Sequence, residues 1–119
     1  MHPGQADRRK SIRKEVLAPA VMQIEADGRR FTSQAIVKNL SLGGLQVALY
    51  DYDDDLRKLD LTNSHGAICF RFSGGSREYR ATCQTIRVEK WNYTIQIGAM
   101  FTDMSESQRR SLEDICASA

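Results

Sequence analysis

Asn39-Leu40-Ser41-Leu42-Gly43-Gly44 is the stretch around which the rest of the chain is ordered. In an extended backbone its two leucines face one side and its amide and hydroxyl the other. The leucines belong to a core, which leaves Asn39 and Ser41 side by side on an accessible face. Gly43 and Gly44 follow, permitting positive φ and close approach of another molecule to the backbone. Read alone, the same residues also make an ordinary turn, in which Asn and Ser bond nearby backbone groups and Gly takes the left-handed conformation. The flanking chain decides between a polar site and a plain turn.

On both sides the sequence runs in short apolar alternations separated by turn signals, the pattern of an all-β domain. Residues 18–26 form the first run, Asp27-Gly28 a hairpin turn, and residues 29–40 its partner. Leu45, Val47 and Leu49 point one way in a third strand, and Ile68, Phe70 and Phe72 do so in a fourth. In residues 78–89 the apolar phase moves from Ala81 and Cys83 to Ile86 and Val88, which predicts a β-bulge near Gln84-Thr85 of the kind that bends a strand into a barrel. Trp91 falls in the next turn, where it is expected to cover a barrel end. Residues 93–101 return with Ile95, Ile97, Ala99 and Phe101 inward and Gly98 outward. Ser105 then caps a helix over about 105–117, Gln108 completes a capping box, and Leu112, Ile115 and Cys116 form a stripe that packs on the barrel.

The chain has 119 residues, enough for one domain with its own core. Its net charge of +2, from 17 basic and 15 acidic residues, argues against a surface built wholly for nucleic acid. Cys69, Cys83 and Cys116 lack CxxC spacing, so neither a disulfide framework nor a zinc site is expected, and a reducing cytoplasm fits. No stretch approaches the roughly 18 apolar residues of a membrane span. The acidic loop 51–66 begins like a calcium loop but has Leu56 where Gly is needed and Thr62 where Glu is needed. It reads as a solvated excursion with one helical turn. Ser64 and His65 are adjacent, so their side chains diverge, and no nucleophile, base or metal set for an enzyme can be assembled.

Residues 1–16 are polar and carry Pro3 and Gly4, and are expected to form a flexible basic arm ahead of a single domain at 17–119. The arm holds Arg8, Arg9, Lys10, Arg13 and Lys14. Arg9 and Arg13 are four apart, so their guanidinium forks lie on one side and can converge on one anion. Such forks grip phosphate oxygens in pairs and also fit the O6/N7 edge of guanine. In isolation the same run also reads as a solvated tail or an unspecific anchor to nucleic acid or acidic lipid.

RxxxR at Arg9–Arg13, NxSxxG at Asn39–Gly44 and a closing strand and helix occur here in one order, and in this the chain resembles the PilZ domain family of bacterial cyclic di-GMP receptors. The resemblance covers nearly the whole chain and implies a mainly β fold, a six-stranded antiparallel β-barrel with the C-terminal α-helix packed on it. It implies that Arg9 and Arg13 hold the phosphates and guanine of the dinucleotide, that Asn39 and Ser41 bond a guanine, and that Gly43 and Gly44 end the motif, with Gly44 keeping the corner open. Arg8 is a further phosphate candidate, and Arg87 would line the ligand from the side. Asn39 stands where the family also has Asp, replacing a pure acceptor with an amide that can donate as well.

The function so implied is binding of cyclic di-GMP, with no other cofactor and no enzymatic activity, relayed by ordering of the arm to a protein partner in motility, pilus or polysaccharide machinery. A cytoplasmic protein without membrane insertion and without DNA or RNA as partner is expected. The alternative is a PilZ-type protein-interaction adaptor that binds no nucleotide. A barrel for single-stranded nucleic acid would need exposed aromatics beside basic strand residues, whereas Phe70, Phe72 and Phe101 are read as inward.

Overall fold

The computed structural model describes residues 14–72, 74–75 and 77–117. Its strands are β1 (Lys14–Ala26), β2 (Arg29–Leu40), β3 (Gly44–Asp51), β4 (His65–Arg71), β5 (Glu78–Lys90) and β6 (Ile95–Asp103). A single helical turn, α1 (Asp54–Arg57), lies between β3 and β4, and α2 (Glu106–Ala117) follows β6. The strands pair antiparallel and close into a barrel in the order β1-β2-β3-β6-β5-β4. Ala18, Ala20, Met22 and Ile24 alternate into the interior along β1, so a slip of one residue would put all four into water. The β1–β2 turn holds Asp27 at φ 54° and Gly28 at φ 72°, the double positive φ of a two-residue hairpin turn that Asp-Gly accommodates.

Antiparallel connection gathers the start of β1, the β2–β3 corner and α2 at one end of the barrel, and the β1–β2 turn, α1 and the β5–β6 tip at the other. Helix α2 closes the first end with Leu112 and Cys116 buried and Ile115 half-buried, as its stripe predicts. The Tyr79 hydroxyl hydrogen-bonds the Ser111 hydroxyl at 2.5 Å, and beneath it Tyr79 stacks on Phe70 with ring centroids 5.3 Å apart. Ser105 Oγ accepts the Gln108 N–H at 3.2 Å, but the Gln108 side chain does not return to complete the box. Its Oε1 accepts the Arg80 N–H at 2.6 Å instead, tying the first helical turn to β5.

The far end differs from expectation. Leu56 and Leu61 are fully buried, so the acidic segment plugs the barrel where a solvated excursion was expected. Each such leucine contributes about 2 kcal/mol of burial, which a loop lying in water would forgo. Asp53 caps α1 by accepting the Asp55 N–H at 2.8 Å. Arg57 Nη1 donates to the Tyr52 hydroxyl at 2.8 Å and to the Trp91 carbonyl at 2.7 Å, and Lys90 Nζ donates to the Leu59 carbonyl at 2.6 Å. With leucines filling the opening, Trp91 does not cover it and is 53% exposed.

Strand β5 carries the predicted bulge, displaced by one residue. Thr85 pairs with Ala99 and Arg87 with Gly98, so Ile86 is the extra residue and turns outward, 56% exposed. Thr85 faces the interior in its place. The backbone explains the exchange: Thr85 N–H donates to the Ser64 carbonyl at 2.9 Å, and Thr85 C=O accepts from Asn63 N–H at 2.8 Å. The loop entering β4 thus pins residue 85 inward, and the apolar side chain next to it goes out. Phe101, expected inward, is half-buried.

Candidate functional site

The register of β2 against β3 shifts between Val37 and Asn39, which sets Asn39 opposite Gln46 and Leu40 opposite Leu45. Leu40 and Leu45 are buried, so the two amides face outward together. Asn39 Nδ2 donates to Gln46 Oε1 at 2.9 Å. The remaining halves, Asn39 Oδ1 and Gln46 Nε2, have no hydrogen-bond partner among the described residues. One acceptor and one donor are therefore left for a ligand.

At the corner Ser41 N–H donates to the Gly44 carbonyl at 2.9 Å, and Ser41 Oγ reaches the same oxygen at 3.3 Å. Plain turn chemistry is thus present at this corner alongside the polar face. Neither Gly43 nor Gly44 takes a left-handed φ. What Gly44 supplies is space: a Cβ there would lie 2.2 Å from the Ala99 carbonyl oxygen of β6. Gly43 has nothing within 4 Å of the same position, and its carbonyl accepts the Phe101 N–H at 2.9 Å. Gly44 therefore lets the corner pack against β6 while it lines the cleft.

From the other side the bulge of β5 brings Ile86 and Arg87 to the same surface. Arg87 stands opposite Gly98, whose missing side chain leaves the Arg87 Cβ 3.6 Å from where a second Cβ would be. Asn39, Ser41, Gly44, Gln46, Ile86, Arg87 and Gly98 line one open cleft of about 200 Å³. The Arg87 side chain is exposed and forms no ion pair or hydrogen bond with another described residue. A guanidinium without a partner among the described residues, beside unsaturated amides, suits an anionic ligand with hydrogen-bonding edges.

Of the residues singled out from the sequence, Asn39, Ser41, Gly44 and Arg87 come together in this cleft, and Gly43 sits at its corner without lining it. Arg8, Arg9 and Arg13 lie outside the described residues. Gln46 and Ile86 were missed. Gln46 was legible, since it alternates with the inward Leu45 and Val47. Ile86 was not, because an isoleucine in a strand is assigned to the core unless the pinning of residue 85 is known.

A family model described as the PilZ domain matches residues 7–118. The chain is similar to the Bacillus subtilis inhibitor of motility MotI/DgrA at 16% identity and a TM-score of 0.68, over 92% of this chain and 50% of that one. It is similar to the PilZ domain of Escherichia coli YcgR, solved with c-di-GMP, at 21% identity and a TM-score of 0.65, over 93% of this chain and 90% of that one. Against Escherichia coli YcgR in complex with c-di-GMP the values are 20% identity and 0.59, over 93% of this chain and 45% of that one. This chain thus spans about half the length of MotI and of the longer YcgR chain, and nearly all of the YcgR domain. No curated protein matches it in sequence.

Proposed function

The chain belongs to the PilZ domain family, and from that premise we propose that it binds cyclic di-GMP and relays it to a protein partner by ordering its N-terminal arm. The observation that carries this reading is a register: Lys14 stands opposite Leu40 and Glu15 opposite Asn39. Arg13 is joined directly to Lys14, so the RxxxR segment begins one residue from the strand position that faces Leu40, which supports its reaching the Asn39–Ser41 corner. Arg9 and Arg13 then take the phosphates, with Arg8 as a further contact. The free amide halves of Asn39 and Gln46 suit the mixed donor and acceptor edge of a guanine, and Arg87 meets the ligand from β5.

Folding the arm over the ligand costs conformational entropy, which the charge-assisted phosphate bonds and base contacts offset. The closed arm forms the surface that a partner reads, and the likeness to an inhibitor of motility supports motility machinery as one class of partner. The protein acts in this reading as a binding module of the cytoplasm and not as an enzyme. Among the described residues no helix is long and apolar enough to cross a membrane, and no cluster of three His, Cys, Asp or Glu side chains could hold a metal ion.

Calorimetric titration with cyclic di-GMP, beside GTP and a short single-stranded oligonucleotide, tests the reading. Saturable heat with cyclic di-GMP alone is expected, lost in the Arg9→Ala, Arg13→Ala double variant. Parental affinity in that variant, or no heat from the parent, overturns it, and the second outcome favours the adaptor that binds no nucleotide.

A further inference from the structure

The cleft at the corner does not end at Arg87. A second recess of about 220 Å³ adjoins it, sharing Gln46, Arg87 and Gly98 and adding Lys38, Trp91 and Gln96, with the carboxylate of Glu89 also on its wall. The Trp91 indole is 53% exposed, and the Lys38 ammonium lies 5.5 Å from a ring centroid while donating to Gln96 Oε1 at 3.2 Å. The barrel does not use this ring as a plug, since Leu56 and Leu61 fill the opening beside it. A half-exposed indole beside a lysine, in a recess continuous with a guanidinium, has the composition of a base-stacking platform with a phosphate contact at hand.

Resting on the proposed binding of cyclic di-GMP, we propose that Trp91 and Lys38 form a second base subsite, in which the guanine farther from the corner stacks on Trp91. Gly44 pairs with Met100 and Ala48 with Gln96, so the two ends of the joined groove are four residues apart along β3, about 13 Å. One base cannot cover that span, whereas a second base on the same dinucleotide reaches across it. Lys38 holds the ring face by a weak cation–π contact, and its flexible stem lets the ammonium move to a phosphate as the base arrives.

Trp91 is the only tryptophan of the chain, so its emission reports on this recess alone. The experiment titrates the full chain with cyclic di-GMP by fluorescence and by calorimetry, in the parent, Trp91→Phe and Trp91→Leu. Expected are quenching of the parent that saturates with the heat, affinity within about threefold for Trp91→Phe, and a loss of about tenfold for Trp91→Leu. Trp91→Phe shows whether a folded hairpin with a ring suffices. Heat without any change in Trp91 emission, together with parental affinity in Trp91→Leu, overturns the subsite and leaves the receptor standing. Absence of heat in the parent overturns both.

Discussion

The two halves of β5 put the same residue types to opposite uses. In the first half Arg80, and Arg71 from the neighbouring β4, pair with Glu78 at 3.1 and 3.5 Å, and Glu78 also accepts from the Cys69 thiol of β4. That thiol, followed by the charges of Arg80 and Arg71, holds the Glu78 carboxyl below its ordinary range, while burial and then Glu78 push the Cys69 thiol up. The Arg80 N–H and the Tyr79 hydroxyl are taken by α2. Just beyond the bulge at Ile86 that closure is missing, and Arg87 stands in a cleft without an ion pair among the described residues; it resumes at the end of the strand, where Lys90 donates to the Leu59 carbonyl. Internally saturated polar groups stabilise and unsaturated ones recognise, and here one extra residue in a strand separates the two roles.

The largest expected effect comes from the contact that sets the cleft's width. Gly44→Ala drives a Cβ into the Ala99 carbonyl, which is backbone and cannot give way. About 3 kcal/mol of stability and most of the ligand affinity should go, as overpacking costs in this range. Gly43→Ala, with open space at the same position, should change denaturation by less than about 0.5 kcal/mol. Equal midpoints for the two variants in urea would break the account of Gly44.

The saturated half is tested next by pH. Burial raises the Cys83 thiol from 9.0 to about 11, so the folded state holds its proton where the unfolded chain has lost it. Its contribution is complete below pH 9 and disappears as pH rises toward 11, roughly 2 kcal/mol in all. In urea melts the parent should lose about that much more than Cys83→Ala between pH 8.5 and 11, and parallel slopes would refute the burial argument.

Arg87→Ala should weaken cyclic di-GMP about tenfold to thirtyfold, the worth of a charged hydrogen bond, with the melting temperature unmoved. Arg80→Ala should do the reverse, sparing affinity and costing at most about 0.5 kcal/mol, because its ion pair is exposed. If the two variants bind alike, the division of β5 falls. A single hydroxyl is the last test: Tyr79→Phe removes the bond to Ser111 and should cost about 1 kcal/mol in a thermal or urea melt without touching affinity.

By itself the sequence determined the strands, except that β1 begins at Lys14 inside the segment read as a flexible arm, together with the Asp27-Gly28 turn, the α2 stripe, and the outward pairing of Asn39 with Ser41. Each of these follows from a local period or a local backbone preference, and such signals need no knowledge of distant residues. Tertiary structure alone decided which neighbour each exposed group meets. That Gly44 serves close packing depends on Ala99 across the sheet, and that Leu56 and Leu61 plug the barrel depends on an opening that exists only once it has closed. Ile86 points out because Asn63 and Ser64 hold Thr85 in, and Trp91 lines the groove because leucines already fill the end. Periodicity specifies direction relative to the local backbone, whereas contact is a property of chain segments brought together from afar.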